Sequence, residues 1–504
     1  MTPAPGLLTR LLLLTALFGV LVTANGAGYR YGVSDQAFYI PAIELAQTPS
    51  LFSRDRGLLL PQAELTVLDE ALAWAGATTG LSLPWLFFLG YLLTTTLFVA
   101  GVSLIGDSLY VSRWTTAALL MALTLRHRIA RTGVNTFESA FHPRVLTFAI
   151  GLIAVGLCLR GRRAAALGLA VVACLVHPTT GGWFVIWIAV AAAVEAWPSR
   201  AGRRAVGGLV VFGAIAAAGL VATGALSSRL VVIDAPWLAA FESRDYLFPL
   251  DDWKAGTWLT HLLSPVVIAA TWQWRRRLGL TTAHEDGVVM GSLTLLLAFL
   301  ASVPVIDAHV ALAVQLQTSR VFWLLELLAT AYIVWTIAEA PWSGVPAARR
   351  AAIAAVLLAV VSASRGYYIL RVEHDHRLVA VHLPESDWQR MGAWIDANTA
   401  PEAHLLAHPD HVWSAGGSLR VLARRDVLLE GVKDAAIAIY SREGAERVTE
   451  RRQAIGDFNM LTEERARTLA RSYGIDYLLT ERPMQLPLVH AEGTLQLYEL
   501  GAQH

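Results

Sequence analysis

YRYGVSDQAFYIPAIELAQTP, residues Tyr29–Pro49, follows almost directly on an apolar run at Leu7–Val22. With Thr23 and Ala24 counted, that run reaches the short end of the roughly 17–25 residues a membrane-spanning helix needs. Asp35 therefore stands just past a first membrane crossing. Tyr29, Tyr31, Phe38 and Tyr39 flank it, and aromatic rings suit a membrane–water interface. Two readings of Asp35 stand side by side. It caps a short helix starting near Gln36, as Asp commonly does. Or its carboxylate performs chemistry on a substrate held in the lipid.

The composition extends the membrane reading to the whole chain. Of 504 residues, 55% are hydrophobic and only 16% are charged, against about 25% charged in an ordinary soluble domain. The formal net charge of +1 gives no case for a nucleic-acid partner. Cys158 and Cys174 lie inside apolar runs without metal-type spacing, so neither a metal site nor a disulfide framework is implied. Arg10 precedes the first apolar run, Ala24-Asn25-Gly26-Ala27 is only a fair match to a signal-peptidase site, and many more spans follow. An uncleaved anchor is expected.

Hydropathy gives about eleven spans. They are Leu7–Thr23, Leu83–Ile105, Trp114–Leu125, Val145–Leu159, two within Ala164–Trp197, then Ala205–Leu226, Trp258–Trp274, Val288–Val303, Val321–Ile337 and Ala351–Ser362. Ala164–Trp197 is split because His177-Pro178-Thr179-Thr180-Gly181-Gly182 interrupts its middle. Arginine clusters test the split. Arg160/Arg162/Arg163, Arg200/Arg203/Arg204, Arg275/Arg276/Arg277 and Arg349/Arg350 each adjoin a span. With the split they share one face with Arg10 and Arg113, and the positive-inside rule makes that face cytoplasmic. Asp35, the His177 turn and the C-terminus then lie outside. One outer loop breaks the rule, carrying Arg126, Arg128, Arg131 and Arg144 with His127 and His142. Such a loop suits an anionic group, because Arg pairs with phosphate bidentately. It also suits a mis-assigned third span.

Residues 371–504 are polar with short helix and strand signals, and form an α/β domain beside a membrane domain at residues 1–370. Ser386-Asp387-Trp388-Gln389 has the form of a capping box opening a helix through about Asn398. His404–Ala407 and Leu419–Glu430 contain β-like runs. Thr462–Tyr473 reads as a helix ended by Gly474, and Tyr477–Thr480 and Leu495–Leu500 read as strands.

Several polar residues stand where they are expensive. Glu326 lies within a span and is either interhelix glue or functional. Arg320 sits at the outer entrance of that span, as a phosphate partner or a snorkelling anchor. His177-Pro178 and His142-Pro143-Arg144 form two similar outer turns whose histidines could contact a substrate. The loop Ser228–Thr257 mixes Asp234, Asp245, Asp251 and Asp252 with Trp237, Tyr246 and Trp253, a blend that suits sugar rings and membrane interfaces alike. No phosphate-binding loop, H-E-x-x-H or G-x-S-x-G motif occurs.

With Ser34-Asp35-Gln36 after the first span, amphipathic segments in the first outer loop, outward loops and a polar C-terminus, the chain resembles the GT-C superfamily of membrane glycosyltransferases. The resemblance implies a polytopic α-helical fold with a C-terminal extracytoplasmic α/β domain in a bacterial inner membrane. It implies a polyprenyl-phosphate-linked sugar donor and a glycan, lipid or protein acceptor. It implies Asp35 as the catalytic residue, a general base, with Arg320, His177, Arg144, His142, Gln36 and Tyr39 binding substrate. Many members show paired acids, whereas here Gln36 follows Asp35, so no cofactor is certain and a divalent metal ion stays open. A transporter or flippase for a lipid-linked or anionic solute, and a non-catalytic scaffold, are the alternatives.

Overall fold

The computed structural model describes residues 5–501 apart from 225, 242, 243, 245 and 415. Asp245 thus lies outside the described residues. The chain divides into two compact units. The first comprises Met1–Tyr29, Leu89–Val232 and Arg244–Val379; the second comprises Arg30–Phe88, Ile233–Ser243 and Ala380–His504.

Helices occupy each apolar stretch read from the sequence. Among the described residues, six segments are long and apolar enough to cross a membrane: Leu8–Asn25, Leu83–Leu109, Pro178–Ala196, Ala283–Asp307, Ala311–Ala338 and Ala347–Glu373. The protein is a multi-pass membrane protein. Of the other helices on expected spans, Pro143–Cys158 and Arg163–Val176 are shorter, while Arg200–Ala222 and Ala255–Arg277 are 23 residues long, the latter less apolar. Arg113–Leu123 has 11 residues, which rise only about 16 Å at 1.5 Å each, well under a bilayer core. The long run Ala164–Trp197 is broken where its His-Pro motif lies. One helix ends at Val176 and the next starts at Pro178. Proline is at home there because a first-turn N–H has no intrahelical acceptor. The two helices pack against each other, and Gly181 permits it: a Cβ there would stand 2.5 Å from the Cys174 backbone nitrogen.

The first unit also neutralises an arginine of the Arg275/Arg276/Arg277 cluster internally. Arg275 Nε donates to Glu285 Oε1 at 2.7 Å, and its Nη2 donates to Oε2 at 3.1 Å. Both side chains are buried. This pair ties the helix Ala255–Arg277 to the helix Ala283–Asp307.

The second unit is α/β. Its five-stranded sheet runs Asp426–Val427, His404–Leu406, Tyr477–Thr480, Leu495–Glu499, Leu488–Glu492. The first three strands are parallel, with Leu405 opposite both Val427 and Tyr477. The last two close the sheet as an antiparallel hairpin, irregular between Leu488 and His490. Local signals set the helices around it. Ser386 accepts from Gln389 N at 3.1 Å to open Asp387–Asn398. Thr462 caps Glu463–Tyr473, which Gly474 ends at φ +60. The run Leu419–Glu430 is only partly strand: Leu419–Ala423 is a helical turn and Asp426–Val427 the strand.

Two cores hold this unit together. Met391, Ile395, Leu405, Leu419, Val427, Leu479, Leu495 and Leu497 pack between sheet and helix. Phe38, Tyr39, Leu45, Leu51, Phe52, Leu58 and Leu59, all from the first loop, pack with Ile437 of the C-terminal segment. The first loop is therefore built into the same hydrophobic core as residues some 400 positions later.

Candidate functional site

The loop before Asp35 is constrained at two backbone positions. Gly32 takes φ +80 and Ser34 takes φ +57. A side chain at positive φ is disfavoured, and such residues concentrate where function over-determines the backbone. Gly32 N donates to Gln36 Oε1 at 2.7 Å, so the fully buried Gln36 side chain ties down the loop before Asp35.

Asp35 occupies the position preceding the helix Gln36–Gln47, but its side chain makes no capping hydrogen bond. Lys433 Nζ instead donates to Asp35 Oδ1 at 3.1 Å. The lysine side chain is 8% exposed and the aspartate 25%. The carboxylate thus keeps part of its surface open while a nearly buried cation faces it. Tyr39, one turn on, is a core residue stacked edge-on against Phe38.

Lys433 is positioned by a buried ionic network. It lies on the helix Gly431–Ala438, between Glu430 and Asp434. Arg420 binds both of these: its Nη1 stands 3.3 Å from Glu430 Oε2, and its Nη2 donates to Asp434 Oδ2 at 3.0 Å. Arg420 Nε also donates to Asp55 Oδ2 at 2.6 Å. Asp55 is further paired with Arg447 and accepts from Val427 N at 3.0 Å. Ser418 donates to Glu430 at 2.8 Å. Burial alone would raise the Asp55 carboxyl; Arg420 and Arg447 outweigh it and hold that group well below the usual carboxylate range. Burial likewise opposes ionisation of Glu430, and Arg420 brings it down to about 2. At Asp426, burial followed by the neighbouring Asp55 charge outweighs the hydrogen bonds from Arg54 N and Asp55 N and the Arg420 charge, and raises it to about 6.

The remaining sequence candidates lie in the first unit. Arg144 is buried and committed: its Nε and Nη2 reach Glu138 Oε1 at 3.1 and 2.9 Å, and Nη2 reaches Oε2 at 2.8 Å. His142 Nε2 stands 3.3 Å from the same Glu138. His177 Nδ1 accepts from Thr180 N at 3.3 Å, capping the helix Pro178–Ala196. Glu326 pairs with His127. Arg320 ends a tight turn at Thr318–Arg320, is 8% exposed, and its Nε is buried without a hydrogen-bond partner.

Arg144 and His142 thus satisfy a buried acid, His177 serves a helix end, and Arg320 keeps unspent hydrogen-bonding capacity. Sequence reasoning passed over Lys433, Glu138 and the Asp55–Arg420 pair. The acidic and basic letters of GVKDA and SLRVLARRD look like solvated surface in a linear string. Among the described residues no group of three or more His, Cys, Asp or Glu could hold a metal ion. No protein-family model matches the chain, and no curated protein matches it significantly.

Proposed function

We propose that the protein is a membrane glycosyltransferase of GT-C type. It transfers a sugar from a polyprenyl-phosphate donor to an acceptor hydroxyl on the extracytoplasmic side of a bacterial inner membrane. Its N-terminus is cytoplasmic and its C-terminal segment outside, as the arginine clusters suggest. The observation that carries the reading is Asp35: a partly open carboxylate after a strained loop, not used as a cap, and held opposite a lysine. In this reading Asp35 takes the proton from the acceptor hydroxyl as that oxygen attacks the anomeric carbon, and the sugar–phosphate bond breaks. Lys433, 3.1 Å from Asp35 Oδ1, holds the carboxylate in place. In the first unit, Arg320 is a buried guanidinium with an unsatisfied N–H, a group suited to pairing with a phosphate oxygen.

Transport of a lipid-linked or anionic solute is the competing reading. It draws on Glu326, an acid within a spanning segment paired with His127, since such groups mark transport pathways. One experiment separates the two. Purified protein is supplied with a polyprenyl-phosphate sugar pool, and Asp35→Asn is compared with wild type. General-base catalysis is worth about 10²–10⁴-fold, so turnover should fall by that order while the melting temperature barely moves. Wild-type transfer by the folded variant would remove Asp35 from the chemistry and leave transport as the better account.

A further inference from the structure

The helix Pro5–Asn25 and the helix Arg113–Leu123 border an open groove of about 670 Å³ in the first unit. Its walls are mainly apolar: Gly6, Leu13, Leu14, Trp114 and Ala117. On the first helix, residues 6, 10, 13 and 14 repeat at three- to four-residue spacing, so one face supplies that wall. Two arginines, Arg10 and Arg113, share the groove.

The charges there are incompletely matched. Arg10 Nη2 is 3.7 Å from Asp107 Oδ1, beyond hydrogen-bond reach, and that nitrogen is buried with no hydrogen-bond partner. Asp107 also accepts from Thr116 Oγ1 at 3.3 Å. Arg113 is exposed at the first turn of its helix, where unpaired backbone N–H groups add positive potential. Two guanidinium groups against one carboxylate leave a net charge of +1. Leu13 is 67% exposed and Trp114 52%, so the apolar walls are open to whatever surrounds the helices.

We propose that this groove is a binding site for one anionic phospholipid of the bilayer. The phosphodiester, with its single negative charge, sits between Arg10 and Arg113. One acyl chain lies along Leu13, Leu14 and Ala117, and Trp114 stands at the headgroup boundary. Basic recesses between membrane helices select anionic headgroups in this way. A snorkelling arginine needs neither a second arginine nor an apolar trough beside it. The site is independent of the proposed transfer reaction.

The test uses the full-length protein in nanodiscs of phosphatidylglycerol and phosphatidylcholine with the same acyl chains, and native mass spectrometry counts the lipids retained. Wild type is expected to retain phosphatidylglycerol preferentially. Arg113→Gln should cut that preference about fivefold, the worth of one juxtamembrane basic residue. Ala117→Trp, which fills the groove without changing charge, should lower phosphatidylglycerol retention too. Arg113 is exposed, so its loss does not endanger the fold. Unchanged preference in both variants would overturn the proposal. So would displacement of phosphatidylglycerol by millimolar inorganic phosphate, since that would assign the site to a free anion.

Discussion

Lys433 and Asp434 are neighbours on one helix, yet they answer opposite partners: Asp35 for the lysine and Arg420 for the aspartate. That arrangement makes two separable predictions. If the proposed transfer reaction holds, Lys433→Met should lower it about tenfold or more across the pH–rate profile, because the cation that faces Asp35 at 3.1 Å is lost. Lys433→Arg should restore most of the rate. If neither variant alters the profile, Lys433 is a structural tether alone. Arg420 belongs to stability instead. It faces Asp55, Glu430 and Asp434, each at most 1% exposed. Arg420→Met leaves three buried carboxylates facing one another and should destabilise the second unit by about 3–5 kcal/mol. Denaturant unfolding followed by tryptophan fluorescence measures this, and a loss under 1 kcal/mol would mean the acids escape to solvent or neutralise.

At the scale of elements, the loop after the first apolar helix is a folded structure rather than a tether. The helices Gln36–Gln47 and Arg56–Ala63 turn a common apolar side onto Phe52 and Ile437. Phe52 is fully buried and takes φ +52, so both its ring and its backbone depend on this packing. Phe52→Ala should cost about 3–5 kcal/mol and open Leu51–Leu60 to proteolysis. Resistance of that segment in the variant would show that the ionic ties around Asp55 suffice without the core. In the other unit, Gly181 sets how closely the helices Arg163–Val176 and Pro178–Ala196 approach. Arg144 and His142 belong to the same scale: by converging on Glu138 they fix the loop entering the helix Pro143–Cys158.

For the whole molecule, buried acids give stability an unusual pH course. Glu44 is raised to about 8, first by burial, with Arg424 opposing and Asp396 adding to the rise. Asp69 is raised to about 7 by burial and then by Glu70, and both its oxygens lack hydrogen-bond partners. An acid whose folded value lies above its unfolded value binds its proton more tightly when folded. Its contribution is present below the unfolded value near 4 and is lost as pH rises through 7 or 8. His404, lowered to about 4 chiefly by burial, acts oppositely and adds stability between about 4 and 6.5. Between pH 6.5 and 8 the two acids are unopposed by it, so the melting temperature of the second unit should fall across that window. The double variant Glu44→Gln, Asp69→Asn should flatten it. A melting temperature that rises from pH 6.5 to 8 in wild type would contradict the assignment.

Local physics alone determined much of this protein. Run length and hydropathy marked the apolar helices, and the missing proline N–H at Pro178 broke the longest of them. Ser386, Thr462 and Gly474 wrote the helix ends of the C-terminal segment, because capping depends on residues within four positions. The candidate acid, Asp35, was legible from its place after the first span. What decided its surroundings was tertiary. Asp35 meets Lys433 and Asp55 meets Arg420 across more than 360 residues, and no periodicity within a window carries such a pairing. The same holds for Arg144, whose guanidinium looks free for phosphate until the chain folds Glu138 against it. A charged letter states only that a charge must be satisfied; solvent, ligand or partner is chosen by which segments the hydrophobic cores bring together.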